Sequence, residues 1–214
     1  MKPFQAFIFD MDNTLLQSRI DFYKMKQTVF EFLAMENILT ADYEWSNKTA
    51  SQIIEQGRRH ERFSVIEDKV WQLVGEVESE GMQGAKLEPR AVDLLHSLRR
   101  KNKWVSVLTN NAYSAAEKAL KDLSVHHLFD YIAGREQMEE LKPSPSGVLH
   151  ILQRSLSIPQ EQWVMVGDSW IDGMAAQQAG IPFIAYQADV EELRKKGISP
   201  LDSIHSLQQL ELWS

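Results

Sequence analysis

Short apolar runs and helical patterns alternate along most of the chain after residue 84. An amphipathic stretch over 89–101 precedes the apolar run 104–108, and a second helical pattern follows over 112–123. The alternation then continues as far as residue 186. Because strands that alternate with helices of this length are typical of βαβ units, the pattern predicts an α/β fold with a parallel sheet.

Two segments near the N-terminus break this alternation. Residues 4–9 form a short, aromatic-rich run, which suits a strand buried on both faces of a parallel sheet. After it the strand pattern stops, and three helical patterns follow over 20–35, 41–57 and 63–79. An α/β sheet whose first strand is separated from the others by helices indicates an inserted domain.

The expected organisation is a Rossmann-like, doubly wound α/β core with an all-helical cap. The core contains residues 1–16 and 85–214, and the cap, inserted after the first strand, contains residues 17–84. In open α/β sheets ligands bind at the carboxyl ends of the strands, so polar residues that follow strands are the candidate site residues.

Composition limits the possible functions. The chain has no cysteine, which excludes disulfides, thiolate catalysis and cysteine metal sites. Its net charge of -7, without a long Lys/Arg stripe, argues against nucleic-acid partners. No apolar run approaches the roughly 20 residues that span a bilayer, and the N-terminus lacks a signal-peptide pattern, so we expect a cytoplasmic protein without a membrane partner.

The first motif is a pair of acids where the first strand ends. Asp10 and Asp12 can both project toward the carboxyl edge of the sheet. One carboxylate can attack phosphorus while the other donates a proton to the leaving group and later activates water. The alternative is a calcium loop with Asp10, Asp12 and Thr14 at positions 1, 3 and 5, but position 6, which requires glycine, is Leu15.

The second motif, Thr109-Asn110-Asn111, ends another apolar run and precedes a helix. Its hydroxyl and amides, together with the free N–H groups of the following helical turn, can bind a phosphate. Thr and Asn at strand ends are also common helix caps, and this alternative stays open.

The third motif places Lys142 before Pro143 and Pro145, which restrict the backbone around it. An ammonium group held in this way can neutralise a phosphate and the charge of a nucleophile. The alternative is an ordinary solvated lysine.

The fourth motif is a second acidic pair, Asp168 and Asp172, at the end of the run 163–166. Carboxylates at a strand end suit Mg²⁺, which takes one or two carboxylates together with water and phosphate oxygens. The alternative is that Asp168 or Ser169 only caps the next helix.

With all four motifs in one predicted α/β domain, the sequence resembles the haloacid dehalogenase superfamily. It is most similar to the phosphatase branch that carries a helical cap, as in phosphoglycolate phosphatases, and the resemblance covers nearly the whole chain. It implies that Asp10 is the nucleophile that forms an aspartyl-phosphate and that Asp12 is the general acid and base. It further implies that Thr109 and Asn110 hold the phosphoryl group and that Lys142 balances its charge.

The resemblance also implies a metal site. Mg²⁺ would be bound by Asp10, by the backbone carbonyl of Asp12 and by Asp168, with Asp172 supporting a metal-bound water or orienting Lys142. Family members that cleave carbon–halogen bonds lack an acid at the position of Asp12, so its presence favours phosphate transfer.

Substrate recognition is less well defined by the sequence. The expected partner is a small phosphorylated metabolite. Arg58, Arg59 and Arg62 form the densest positive cluster and could bind a second acidic group of this substrate, although a solvated helix end is the alternative. Two other functions stay open: a phosphomutase similar to β-phosphoglucomutase, and a catalytically idle binding module on the same fold, which the filled catalytic positions disfavour.

Overall fold

The computed structural model describes residues 3–214, which form two compact units. The core unit consists of the chain up to Gln17 and of Ala85–Ser214, and the helical unit consists of Ser18–Gly84. The boundary after the first strand therefore lies one residue beyond the position expected from the sequence.

The core unit contains a parallel sheet whose central strands are buried. The strands of the described chain are β1 Ala6–Phe9, β2 Leu16–Gln17, β3 Lys86–Leu87, β4 Trp104–Leu108, β5 Tyr131–Ala133, β6 Trp163–Gly167, β7 Phe183–Tyr186 and β8 Asp202–Ile204. Six of these form one parallel sheet in the order β5-β4-β1-β6-β7-β8, and β2 pairs with β3 in an antiparallel ribbon. The predicted α/β fold with a parallel sheet is confirmed.

Strand β1 is central because its side chains can be buried on both faces of the sheet. Ala6 and Ile8 belong to a hydrophobic cluster that also contains residues of the helices described below. Phe7 and Phe9 point to the opposite face, where their rings stack at 6.2 Å between centroids. The neighbouring strands β4 and β6 are in register with β1, with Ala6 opposite both Trp104 and Trp163. The carboxyl ends of these three strands consequently lie side by side.

Helices connect the strands of the core unit and make up the helical unit. The α-helices are α1 Phe22–Met35, α2 Ala50–Arg58, α3 Phe63–Met82, α4 Ala91–Arg100, α5 Tyr113–Asp122, α6 Ser146–Leu152, α7 Trp170–Gln178 and α8 Val190–Lys195. Short 3₁₀ segments cover His126–Leu128, Arg135–Gln137, Gln160–Gln162 and Leu207–Trp213. Within residues 3–214, each helix is too short or too polar to cross a membrane.

The helical unit has a hydrophobic core of its own, formed by α1, α2 and α3. Buried apolar side chains such as Val29, Ile53 and Val70 lie in it. The predicted helix over 41–57 is wrong in its first half, because the helix begins only at Ala50. The side chain of Thr49 caps it: its hydroxyl accepts the N–H of Gln52, whose side chain in turn accepts the N–H of Thr49.

Candidate active site

The candidate site lies at the carboxyl edge of the sheet, where three neighbouring strands end. Asp10 follows β1, Thr109 follows β4 and Asp168 closely follows β6. Because these strands are parallel and adjacent, the sheet itself brings together residues that are up to 158 positions apart in the chain. Lys142, in the loop before α6, joins them from a fourth segment.

Lys142 is fully buried in the middle of this group. Its ammonium nitrogen donates to Asp10 Oδ1 at 2.5 Å, to Asp172 Oδ1 at 2.7 Å and to the carbonyl of Leu108 at 3.0 Å, which uses all three of its hydrogens. Burial alone would lower the pKa of Lys142, but the two carboxylates outweigh it and the pKa is raised. The alternative of a solvated lysine is therefore wrong.

The backbone of Lys142 is held by the side chain of Asn110. The Lys142 N–H donates to Asn110 Oδ1 at 2.9 Å, and Asn110 Nδ2 donates to the Lys142 carbonyl at 3.1 Å. The peptide bond between Lys142 and Pro143 is cis. Asn110 Oδ1 and one hydrogen of Nδ2 are used in this way, so a contact between Asn110 and a phosphoryl group would come from the second Nδ2 hydrogen or from the backbone N–H. The Asn110 side chain therefore holds the loop of Lys142, a role that adds to the phosphate contact expected from the sequence.

Three carboxylates crowd around this ammonium group. Asp10, Asp168 and Asp172 each offer an oxygen within 4.8 Å of the others. Burial, with the charges of Asp10 and Asp172, raises the pKa of Asp168 to about 8. Burial, with the charge of Asp10, raises the pKa of Asp172 to about 7 although Lys142 opposes the shift. One ammonium group does not neutralise the three acids.

Asp172 reaches the site because residue 167 is glycine. A Cβ atom at Gly167 would lie 2.6 Å from the Cγ and Oδ2 atoms of Asp172. Asp172 is also bound at both oxygens, since Oδ1 accepts from Lys142 and Oδ2 accepts the N–H of Ser169 at 3.2 Å. Asp172 thus caps the start of α7 and orients Lys142, which favours the second of the two roles that the resemblance allowed.

The oxygen donors at this site fit Mg²⁺. Hard carboxylate oxygens with uncompensated negative charge suit this ion, which prefers few carboxylates and keeps several waters. Asp10 and Asp168 are the carboxylates best placed to hold it, because Asp172 is already bound at both oxygens.

The raised pKa values make the stability of the metal-free protein depend on pH. Asp168 and Asp172 have folded-state pKa values of about 8 and about 7, above the usual value of about 4 for an unfolded chain. The folded state therefore binds these protons more tightly, and the stability that they contribute is lost as the pH rises through 7 and 8. We expect the free energy of unfolding in a chelator to fall between about pH 5.5 and about pH 8.5.

Urea unfolding in EDTA across this pH range measures the effect. Mg²⁺ should stabilise the protein most at the alkaline end, because it binds the ionised carboxylates. If the free energy of unfolding in EDTA stays constant or rises over this pH range, the raised pKa values of Asp168 and Asp172 are wrong.

Asp12 is held by a residue that the sequence-based assignment of roles left out. Asn111 Nδ2 donates to Asp12 Oδ2 at 2.6 Å, and both side chains are buried. The hydroxyl oxygen of Thr109 accepts the N–H of Asn111 at 3.1 Å, so the hydroxyl hydrogen can point elsewhere and donate to a phosphate. The sequence does show two adjacent asparagines, Asn110 and Asn111. The spacing of the motifs, however, does not indicate that their side chains have different partners.

The first turn of α5 differs from the sequence-based expectation. Its N–H groups were expected to bind a phosphate, but the N–H of Tyr113 donates to the carboxylate of Glu136 at 2.8 Å. Glu136 comes from the 3₁₀ segment after β5 and could not be connected to this helix from the sequence. A negative carboxylate at this helix end makes it unsuitable for a second anion.

The three arginines of the predicted cluster lie in the helical unit, and their surroundings differ. Arg58 forms ion pairs with Glu55 at 3.0 Å and with Glu67 at 2.9 Å, and its guanidinium group lies over Trp71. These contacts stabilise the helical unit itself. They give Arg58 a structural role in place of the substrate contact expected from the sequence. Arg59 and Arg62 are exposed.

Comparison with known proteins identifies the family. The sequence pattern of one family, described as haloacid dehalogenase-like hydrolase, matches residues 7–186. The chain belongs to this family. A phosphoglycolate phosphatase of Rhodobacter capsulatus is 26% identical over 204 residues, which are 93% of this chain and 89% of that protein.

Solved structures of the haloacid dehalogenase-like family share the fold of this chain. A haloacid dehalogenase-like family protein of Streptococcus pneumoniae, SP0104, has a TM-score of 0.63 at 21% identity, covering 98% of both chains. The Bacillus subtilis protein YfnB, solved bound to magnesium, has a TM-score of 0.63 at 20% identity, covering 99% of this chain and 98% of that one. The calcium-loop alternative does not fit a member of this family whose Asp10 is paired with a buried lysine.

Proposed function

We propose that this protein is a Mg²⁺-dependent phosphatase that hydrolyses small phosphate monoesters through an aspartyl-phosphate on Asp10. Its broad class is that of a phosphoric monoester hydrolase of the haloacid dehalogenase-like family. The observation that carries the proposal is the buried contact of Lys142 with Asp10 and Asp172, next to Asp168. Such a charge-balanced carboxylate at the carboxyl edge of a sheet suits attack on an anionic phosphate.

The reaction has two steps in this proposal. An oxygen of Asp10 forms a bond to phosphorus while the bond between phosphorus and the ester oxygen breaks, and Asp12 gives its proton to that oxygen. Asp12 then takes a proton from water, whose oxygen bonds to the phosphorus while the bond between phosphorus and the Asp10 oxygen breaks, which releases inorganic phosphate and restores the Asp10 carboxylate. Lys142 offsets the repulsion between Asp10 and the substrate, and Thr109 donates its hydroxyl hydrogen to the transferring group.

The proposed Mg²⁺ ligands are Asp10, Asp168 and the backbone carbonyl of Asp12, with Asp172 in support through Lys142. When bound, the ion supplies positive charge that reduces the repulsion between the carboxylates and the phosphate.

The proposed substrate is a small phosphorylated metabolite. The similar protein of Rhodobacter capsulatus is named a phosphoglycolate phosphatase, so phosphoglycolate is the first compound to test. We further propose that residues 18–84 act as a cap that limits substrate size, on the basis of their place in the sequence. Arg59 and Arg62, being exposed, stay candidates for binding an acidic group of the substrate.

Release of inorganic phosphate from a panel of phosphorylated metabolites tests the proposed function. We expect hydrolysis in Mg²⁺, loss of activity in EDTA, and recovery when Mg²⁺ is added in excess. Asp168→Ala should lower kcat/KM by about 10²-fold or more at any Mg²⁺ concentration, because it removes a proposed metal ligand.

Asp68→Ala is the matched control for this variant. Asp68 is exposed on α3, and we expect its replacement to leave activity within about twofold of the wild type. Full activity in EDTA would contradict the metal requirement. Isomerisation of a sugar phosphate, primed by its bisphosphate and with negligible phosphate release, would establish the mutase instead.

A further inference from the structure

The two adjacent asparagines after β4 have separate tasks. The Asn110 side chain binds the backbone of Lys142, whereas the Asn111 side chain donates to the carboxylate of Asp12. The proposed acid and base is therefore held by an amide from a different strand end, 99 positions away in the chain.

The contact between Asn111 and Asp12 has the properties of a strong hydrogen bond. The distance between Asn111 Nδ2 and Asp12 Oδ2 is 2.6 Å, and the exposed fractions of the two residues are 4% and 8%. A hydrogen bond is electrostatically stronger in a buried setting than in water. Because the amide nitrogen donates to Asp12 Oδ2, the other oxygen, Oδ1, is the one that can carry the proton for the leaving group.

Both backbone groups of Asn111, its N–H and its carbonyl, form hydrogen bonds, and these bonds restrict where its side chain can lie. Its N–H donates to the hydroxyl oxygen of Thr109, and its carbonyl accepts the N–H of Arg135 at 2.9 Å. The loop of Arg135 approaches closely because residue 134 is glycine: a Cβ atom there would lie 2.4 Å from the backbone nitrogen of Tyr113 and 3.0 Å from the Asn111 carbonyl oxygen. The end of β5 thus holds the turn that carries Asn111.

We propose that Asn111 is the positioning residue that orients Asp12 toward the leaving-group oxygen. The inference rests on the proposed function and adds to it the residue that aligns its acid. A general acid is effective only when its proton lies on the path to the leaving oxygen, and a displacement of about 1 Å can cost about 10²-fold in rate. A carboxylate on a short side chain keeps this alignment when a fixed amide restricts its rotation.

Asn111→Ala tests the proposal with two esters that need the acid to different degrees. One is the alkyl phosphate of the panel that the wild type hydrolyses fastest, and the other is p-nitrophenyl phosphate, whose leaving group departs without a proton. We expect kcat/KM to fall by about 10- to 100-fold for the alkyl ester and by less than about threefold for p-nitrophenyl phosphate. The comparison uses kcat/KM because this ratio reports the transfer to Asp10, whereas the later attack of water is common to both esters.

A second variant, with a side chain of similar volume, keeps the test possible if Asn111→Ala does not fold. Asn111→Leu also removes the donor and carries the same test if the alanine variant does not fold. Asn47→Ala, at an exposed position of the helical unit, is the control and should hydrolyse both esters at the wild-type rate. Equal losses for the two esters, or no loss for either, would overturn the role of Asn111. A wild type that hydrolyses neither ester would overturn the proposed function, and this inference with it.

Discussion

Asp10→Asn is expected to lower kcat/KM for every phosphate monoester by about 10⁴-fold or more, because it removes the proposed nucleophile. The fold should survive this change. The asparagine side chain has the same size, and its oxygen can still accept the hydrogen bond that Lys142 now donates to Asp10 Oδ1. The loss should therefore appear in the chemical step, with thermal unfolding close to that of the wild type.

A covalent label separates this effect from a simple loss of charge. Wild-type protein that is quenched with acid during turnover should carry one phosphoryl group, which hydroxylamine removes because it cleaves acyl phosphates. The Asp10→Asn variant should carry none. Asp68→Asn, which makes the same change at an exposed position of α3, is the control and should be both active and labelled. Retention of more than a few per cent of activity in Asp10→Asn, or a label on another residue, would refute the assignment of the nucleophile.

The strand ends were predictable from the sequence because burial on both faces leaves a clear signal. Strands β1, β4 and β6 are short apolar runs, and a polar residue follows each of them directly or closely. In a parallel sheet this pattern is sufficient to place Asp10, Thr109 and Asp168 at one edge. The order of the strands was not needed for that prediction.

The pairing of side chains within the site was not predictable in the same way. The motif spacing did not indicate that Asn110 would bind the backbone of Lys142 or that Asn111 would bind Asp12. Contacts of this kind depend on side-chain rotamers and on loop conformations. Glu136 illustrates the same limit, because its contact with Tyr113 arises from a 3₁₀ segment 23 positions away.

The start of α2 was mispredicted for a different reason. Ala41 and Trp45 are four positions apart, as on one face of a helix, but Tyr43 and Trp45 lie outside any helix and stack on Phe30. Their burial comes from tertiary packing, which periodicity cannot distinguish from a helical face. The local signal that marks the true start was the pair Thr49 and Gln52, which forms the capping box.

Lys142→Met is expected to cost both activity and stability, because Lys142 has two effects in the site. The ammonium group offsets the charge of Asp10 during the proposed attack, so we expect kcat/KM to fall by about 10³-fold. It is also the cation between two buried carboxylates, and removing one partner of a buried ion pair costs about 3–5 kcal/mol. The methionine side chain retains most of the apolar stem and fills a similar volume.

The pH dependence of this destabilisation identifies its cause. Lys142 lowers the pKa of Asp172, so its removal raises the folded-state pKa of that acid further above the unfolded value. The stability gained from binding this proton is present at low pH and is lost as the pH rises, so Lys142→Met should be destabilised more at about pH 8 than at about pH 5.5. Urea unfolding at the two pH values measures the difference.

Lys103→Met is the matched control for Lys142→Met, because Lys103 is also buried but lies before β4, at the opposite end of that strand from Thr109. Its ammonium nitrogen donates to the carbonyl of Phe4 at 2.8 Å. We expect this variant to lose some stability without losing activity, since no carboxylate of the proposed site depends on it. If Lys103→Met loses as much activity as Lys142→Met, or if the destabilisation of Lys142→Met does not change with pH, then the loss reflects packing, and the charge-balancing role of Lys142 is wrong.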